Sequence, residues 1–146
     1  MPDGQPAPNN DPNIVSANNL QVLEAGTPTS LIIEQTRQFE VAMEFTLGGA
    51  VAAGLVAAPM QFQVAYFFDQ LGGAAEGALG NVTKNTQAGQ LTYNANTPAG
   101  SETSLTVPAN TLAPGSYRLT AQVSFRIGAV DQHIFAFTDG PVIRIV

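Results

Sequence analysis

Leu112-Ala113-Pro114-Gly115-Ser116-Tyr117 leads into an unbroken alternation of residue types. Tyr117, Leu119, Ala121, Val123, Phe125 and Ile127 hold one set of positions; Arg118, Thr120, Gln122, Ser124 and Arg126 hold the other. A β-strand sends successive side chains to opposite faces, so this stretch predicts a strand with one buried and one wet side. The Pro-Gly turn ahead of it, with a tyrosine just beyond, is how a β-sandwich commonly begins its penultimate strand.

Two further strands follow from the same period. In residues 38–47, Phe39, Val41, Met43, Phe45 and Leu47 face inward, while Gln38, Glu40, Ala42, Glu44 and Thr46 face out. In residues 60–69, Met60, Phe62, Val64, Tyr66 and Phe68 face inward; Phe67 breaks the polar pattern of the other side, which is therefore partly covered. Leu20 and Val22 suggest a docked edge strand within residues 18–24, and Leu31, Ile32 and Ile33 the next strand, turned by residues 34–37. Residues 90–94 and 104–107 read as two shorter strands. A final strand covers residues 132–137 and 142–146; its Thr138-Asp139-Gly140-Pro141 interruption predicts a bulge or a switch between sheets. Residues 48–59 and 70–80 read as Gly/Ala-rich loops, and no helix of ordinary length is supported. About seven to nine strands with turn signals every 8–12 residues or so make the fold all-β, an antiparallel sandwich. Its core is expected to gather Val41, Met43, Phe45, Phe62, Val64, Tyr66, Leu119, Val123 and Phe125.

The chain has 146 residues, enough for a single domain with a real core, expected over residues 14–146. Residues 1–13 are rich in Pro, Asn, Asp and Gly without apolar period and read as a flexible tail. There is no cysteine, so disulfides and thiolate metal sites are excluded. Five basic residues oppose eleven acidic ones, for a net charge of −6. Without a basic footprint to displace phosphate counterions, nucleic acid is expected not to be a partner, and anionic membrane is disfavoured for the same reason. No stretch reaches the roughly 18 apolar residues of a membrane span. The N-terminus lacks the basic and apolar regions of a secretory signal, so the default location is cytoplasmic unless a signal has been removed.

Residues 29–146 resemble immunoglobulin-like sandwich domains of bacterial type. Residues 29–45 look like the first two strands of such a domain and residues 60–69 like its third. The Val107-Pro108-Ala109-Asn110-Thr111 run into Leu112-Ala113-Pro114-Gly115-Ser116-Tyr117 resembles the approach to its F strand, and residues 137–143 resemble its last strand. The antibody-type cysteine pair and core tryptophan are both missing. The resemblance implies Val41 or Met43, Leu119 or Val123, and Phe62 or Val64 in their places. It also implies that the Tyr117 hydroxyl bonds backbone a few residues upstream. For activity it implies nothing specific, because sandwich domains host many functions.

Chemistry-bearing residues are few. His133 is the only histidine, there is no Gly-x-Ser-x-Gly elbow, and the expectation is that the chain is not an enzyme and carries no cofactor. Calcium could be held by carboxylates such as Asp69, Asp131 and Asp139, but no Asp-x-Asp-x-Asp-Gly run is present. Glu40 and Glu44 point the same way, yet residues four apart on a strand stand about 13 Å apart, beyond glycosidase separations. Asn81-Val82-Thr83 matches a glycosylation triplet that matters only on a secretory route. Phe67 and Tyr93 are the aromatics considered for stacking on a sugar.

Residues 48–59 carry no charge and include Val51, Leu55 and Val56. They read either as a lid over the open end of the sandwich or as an apolar loop that contacts another chain; membrane insertion is a third reading. The favoured function is a structural or protein-interaction module that self-associates through this loop, its partner a second copy or another protein. The rival is a carbohydrate-binding module with a glycan partner. It is distinguished by aromatics lining an exposed sheet face or groove.

Overall fold

The computed structural model describes residues 15–24, 27–28, 31–48, 60–98, 100–127 and 130–146. These form ten strands and no helix: β1 (Val15–Glu24), β2 (Thr27–Pro28), β3 (Ile32–Ile33), β4 (Phe39–Leu47), β5 (Gln61–Gln70), β6 (Glu76–Asn85), β7 (Thr92–Tyr93), β8 (Leu105–Val107), β9 (Gly115–Ile127) and β10 (Val130–Ile145). One sheet runs β2-β1-β4-β7 with β8 also on β4; the other runs β3-β10-β9-β5-β6. The chain is therefore all-β among the described residues. It is not purely antiparallel, because β3 pairs in parallel with the end of β10. The expected tail of residues 1–13 lies outside the described residues.

The two sheets meet through the inward faces that period two assigns. Val41, Met43, Phe45 and Leu47 of β4 pack with Phe62, Val64 and Tyr66 of β5 and with Leu119, Ala121, Val123 and Phe125 of β9 in one buried cluster. Phe45 is its centre: it stacks on Tyr93 at 4.9 Å and meets Phe62 and Phe125 edge-on at 5.0 and 5.5 Å. Every residue of the expected core is buried.

Three buried tyrosines send their hydroxyls to loop backbone, as an apolar interior requires of a polar tip. Tyr117 donates to the Ala113 carbonyl, four residues upstream, at 2.7 Å. Tyr66 donates to the Thr103 carbonyl, and the Thr103 hydroxyl donates to the Met43 carbonyl, tying the segment before β8 to β4. Burial pushes the Tyr66 hydroxyl well above the usual phenol range, so it remains a donor. Tyr93 donates to the Gln90 carbonyl at 2.8 Å and accepts from the Gln87 amide at 2.9 Å.

Three expectations change. Residues 76–80, read as loop, open the edge strand β6, which pairs with β5 from Glu76 to Asn85. Gly77, Ala78 and Gly80 offer no apolar alternation there; main-chain bonds hold the strand, and Val82 is its buried residue. β1 is not an edge: it lies between β2 and β4 and starts at Val15, ahead of the expected 18–24. Ala42, read as outward, is buried, a methyl group among the longer chains of Glu40, Glu44 and the cross-strand Gln21. The Gly140-Pro141 interruption is a bulge: β10 continues through it, with the register against β9 shifting between Asp139 and Val142. A Cβ at Gly140 would lie 2.4 Å from Leu20 Cδ2, so glycine lets β1 close against β10.

Candidate functional site

The outer face of the second sheet holds the chain's exposed aromatic residues. Its rows follow from register. Phe137 of β10 stands beside Gln122 of β9, which stands beside Ala65 of β5 and then Asn81 of β6. The next row is Phe135, Ser124, Gln63 and Thr83; the row on the other side is Asp139, Thr120, Phe67 and Ala78. Neighbouring strands are about 4.8 Å apart, so each row is a line of side chains in mutual reach.

The face divides in two. Along β10 and β3 large apolar side chains are exposed, interrupted by Asp139 and Arg144: Phe137 is 63% exposed, Ile32 61%, Val142 42% and Phe135 36%. Phe135 and Phe137 contact each other edge-on, with ring centroids 5.7 Å apart. Across β9, β5 and β6 it is amide and hydroxyl. Beyond this field, Phe67, Ala78 and Thr120 line a shallow concavity of about 520 Å³, with Asp69 and Glu76 at its far side. On β9, β5 and β6 charge gathers at the ends, with Arg118, Asp69 and Glu76 at one and Arg126 at the other.

The residues expected to act do not gather here. Val51, Leu55 and Val56 lie outside the described residues. His133 is in β10, its side chain outside the description, and Asp131 likewise. Among the described residues no group of three or more metal-ligating side chains comes together. Glu40 and Glu44 lie on the first sheet, half-buried. Tyr93, considered for sugar stacking, is fully buried against Phe45 and is corrected to a core residue. Phe67 is on the outer face as considered. Phe135 and Phe137 were missed, although their spacing of two placed them on one face together. Away from this face, Lys84 pairs with Glu102 at 2.9 Å and, with the Gly100 amide, holds that carboxyl below its usual range.

No family model and no curated protein matches the chain. Solved structures do. The Pseudomonas fluorescens alkylpurine DNA glycosylase AlkC, bound to DNA containing an abasic-site analogue, matches at 12% identity and a TM-score of 0.49, over 90% of this chain and 30% of that one. AvmM, which catalyses macrocyclization in alchivemycin A biosynthesis, matches at 10% identity and a TM-score of 0.36, over 91% and 89%. The chain thus spans about 30% of the glycosylase.

Two exclusions drawn from composition are corrected by these likenesses. The expectation that the chain is not an enzyme does not stand, since both similar structures are enzymes. Nor does the expectation that nucleic acid is excluded as a partner, since the glycosylase is bound to DNA. Net charge bounds only the average field of a chain; it does not fix where individual basic residues such as Arg118 and Arg126 stand. At these identities neither an activity nor a ligand passes to this chain.

Proposed function

We propose that the chain is an immunoglobulin-like β-sandwich serving as a structural or protein-interaction module that associates with copies of itself. The observation that carries this reading is the exposed apolar set on β10 and β3, with Phe135 and Phe137 in contact and Val142 and Ile32 further along, past Asp139. Phe135 and Phe137 meet each other on the outer face rather than in the core, and an exposed pair of large apolar rings marks a contact site. Burying that set against a second copy recovers about 25 cal/mol per Å² of apolar area. The Tyr117 hydroxyl on the Ala113 carbonyl supports the immunoglobulin-like assignment. The uncharged segment 48–59, with Val51, Leu55 and Val56, supplies a second contact in the same reading.

Light scattering tests it. Wild type is expected to exceed the monomer mass, and Phe137→Asp to return it to monomer with an unchanged circular dichroism spectrum. Leu55→Asp with Val56→Asp tests the segment 48–59 in the same way. A wild type that stays monomeric at high concentration rejects self-association.

A further inference from the structure

We propose that the amide-lined trough over Ala65 binds a neutral glycan. Ala65 presents only a methyl group on the outer face: Gln63 and Phe67 flank it along β5, and Gln122 and Asn81 stand beside it on β9 and β6. Four longer side chains around a methyl group make a depression open to solvent. Its rim is chemically uniform. Gln63, Gln122, Asn81, Ser124 and Thr83 are uncharged, and each amide offers two donors and an acceptor. Among the described residues, none of these five side chains spends its hydrogen bonds on another described residue. A pyranose needs this combination, donors and acceptors for its hydroxyl edge and an apolar surface for its C–H face. The half-buried Phe67 ring at the trough's border supplies that surface.

Charge selects the class of ligand. The trough and the rows on either side of it, from β9 to β6, carry no ionisable side chain. Asp69 and Glu76 lie immediately beyond Phe67, and Asp139 ends the Thr120 row. Arg118 stands in the same row as Asp69 and Glu76, so charge of both signs borders the field while the trough itself offers a ligand none, which suits a neutral polyol. The site lies beside the exposed apolar set and does not use it, so glycan binding and self-association are separate properties.

The test is native electrophoresis through gels cast with hydroxyethyl cellulose, arabinoxylan or amylopectin, against a gel without polysaccharide. At least one of the three is expected to retard the wild type. Gln63→Ala with Gln122→Ala removes two sets of hydrogen bonds and is expected to weaken binding about tenfold. Ala65→Arg fills the trough and is expected to abolish retardation. Circular dichroism of both variants should match wild type, and their mass by light scattering should not change. Free mobility of wild type in all three gels overturns the proposal, as does retardation that survives both variants. Binding of a thymidine oligonucleotide that is lost in Phe67→Ala, without retardation by polysaccharide, overturns it in favour of base stacking.

Discussion

β9 and β10 run antiparallel along most of their length and send their aromatic residues to opposite sides of one sheet. Tyr117 and Phe125 of β9 point into the core, whereas Phe135 and Phe137 of β10 stand in solvent. The register between them shifts twice, between Asp131 and Phe135 and again between Asp139 and Val142, and the second shift sets these faces. β9 keeps its period from end to end, while β10 shifts register at Gly140-Pro141. Past the bulge, Ile143 and Ile145 point inward; before it, residues of the same parity point outward. An extra residue in a strand exchanges the faces of everything upstream, because the side-chain period is two. The bulge therefore converts what would be core aromatics into surface ones.

The comparison breaks hardest at the inward end. Phe125→Ala should destabilise by about 3–5 kcal/mol, through lost contacts with Phe45 and the cavity left behind. Urea unfolding with an unchanged m-value checks it. A change under 1 kcal/mol would mean that the two faces are not as distinct as described. Next comes the bulge itself. Gly140→Val drives a side chain into Leu20 and should cost about 1–3 kcal/mol, with part of that cost relieved in a Leu20→Ala background. A double-mutant cycle reads the coupling, and strict additivity would show that β1 does not lean on the bulge. Smaller still is Tyr117→Phe, which keeps the ring and loses one hydrogen bond, for about 0.5–1.5 kcal/mol. Equal denaturation midpoints for wild type and variant would remove the hydroxyl from the description. Phe137→Ala sharpens the contrast from the other side. A ring in solvent should contribute less than about 0.5 kcal/mol to the monomer, so thermal melting at low concentration should barely move.

Strict alternation made β4, β5 and β9 legible, and the core they form needed no tertiary information. β6 was not legible for the opposite reason. An edge strand wetted on its outer face and held by main-chain bonds leaves little trace in residue type, and Gly77 and Gly80 look like turn residues. Gly80 is in fact a bulge position at a φ of 146°, approached closely by Leu105. The outer face was half legible. Gly140-Pro141 marked an interruption, but its meaning for Phe135 and Phe137 depends on whether the strand bulges or leaves the sheet. Leu20 on β1, which packs against that interruption, lies more than a hundred residues away in the chain. The parallel pairing of β3 left no local signal either, since two residues cannot display a period.

That short parallel pairing also governs when the molecule can form. Ile32 and Ile33 align with Arg144 and Ile145, and the Val146 amide donates to the Ile33 carbonyl at 2.9 Å. An early segment thus waits for some of the last residues to emerge before its apolar side chain Ile33 has a sheet to join. Contacts so distant along the chain must overcome loop-closure entropy before they return any stability, which places such topologies among the slow folders, on the order of milliseconds to seconds. During synthesis the nascent chain would hold β4 and β5 without their closing strand, and those aromatic-rich faces are what a chaperone would meet first.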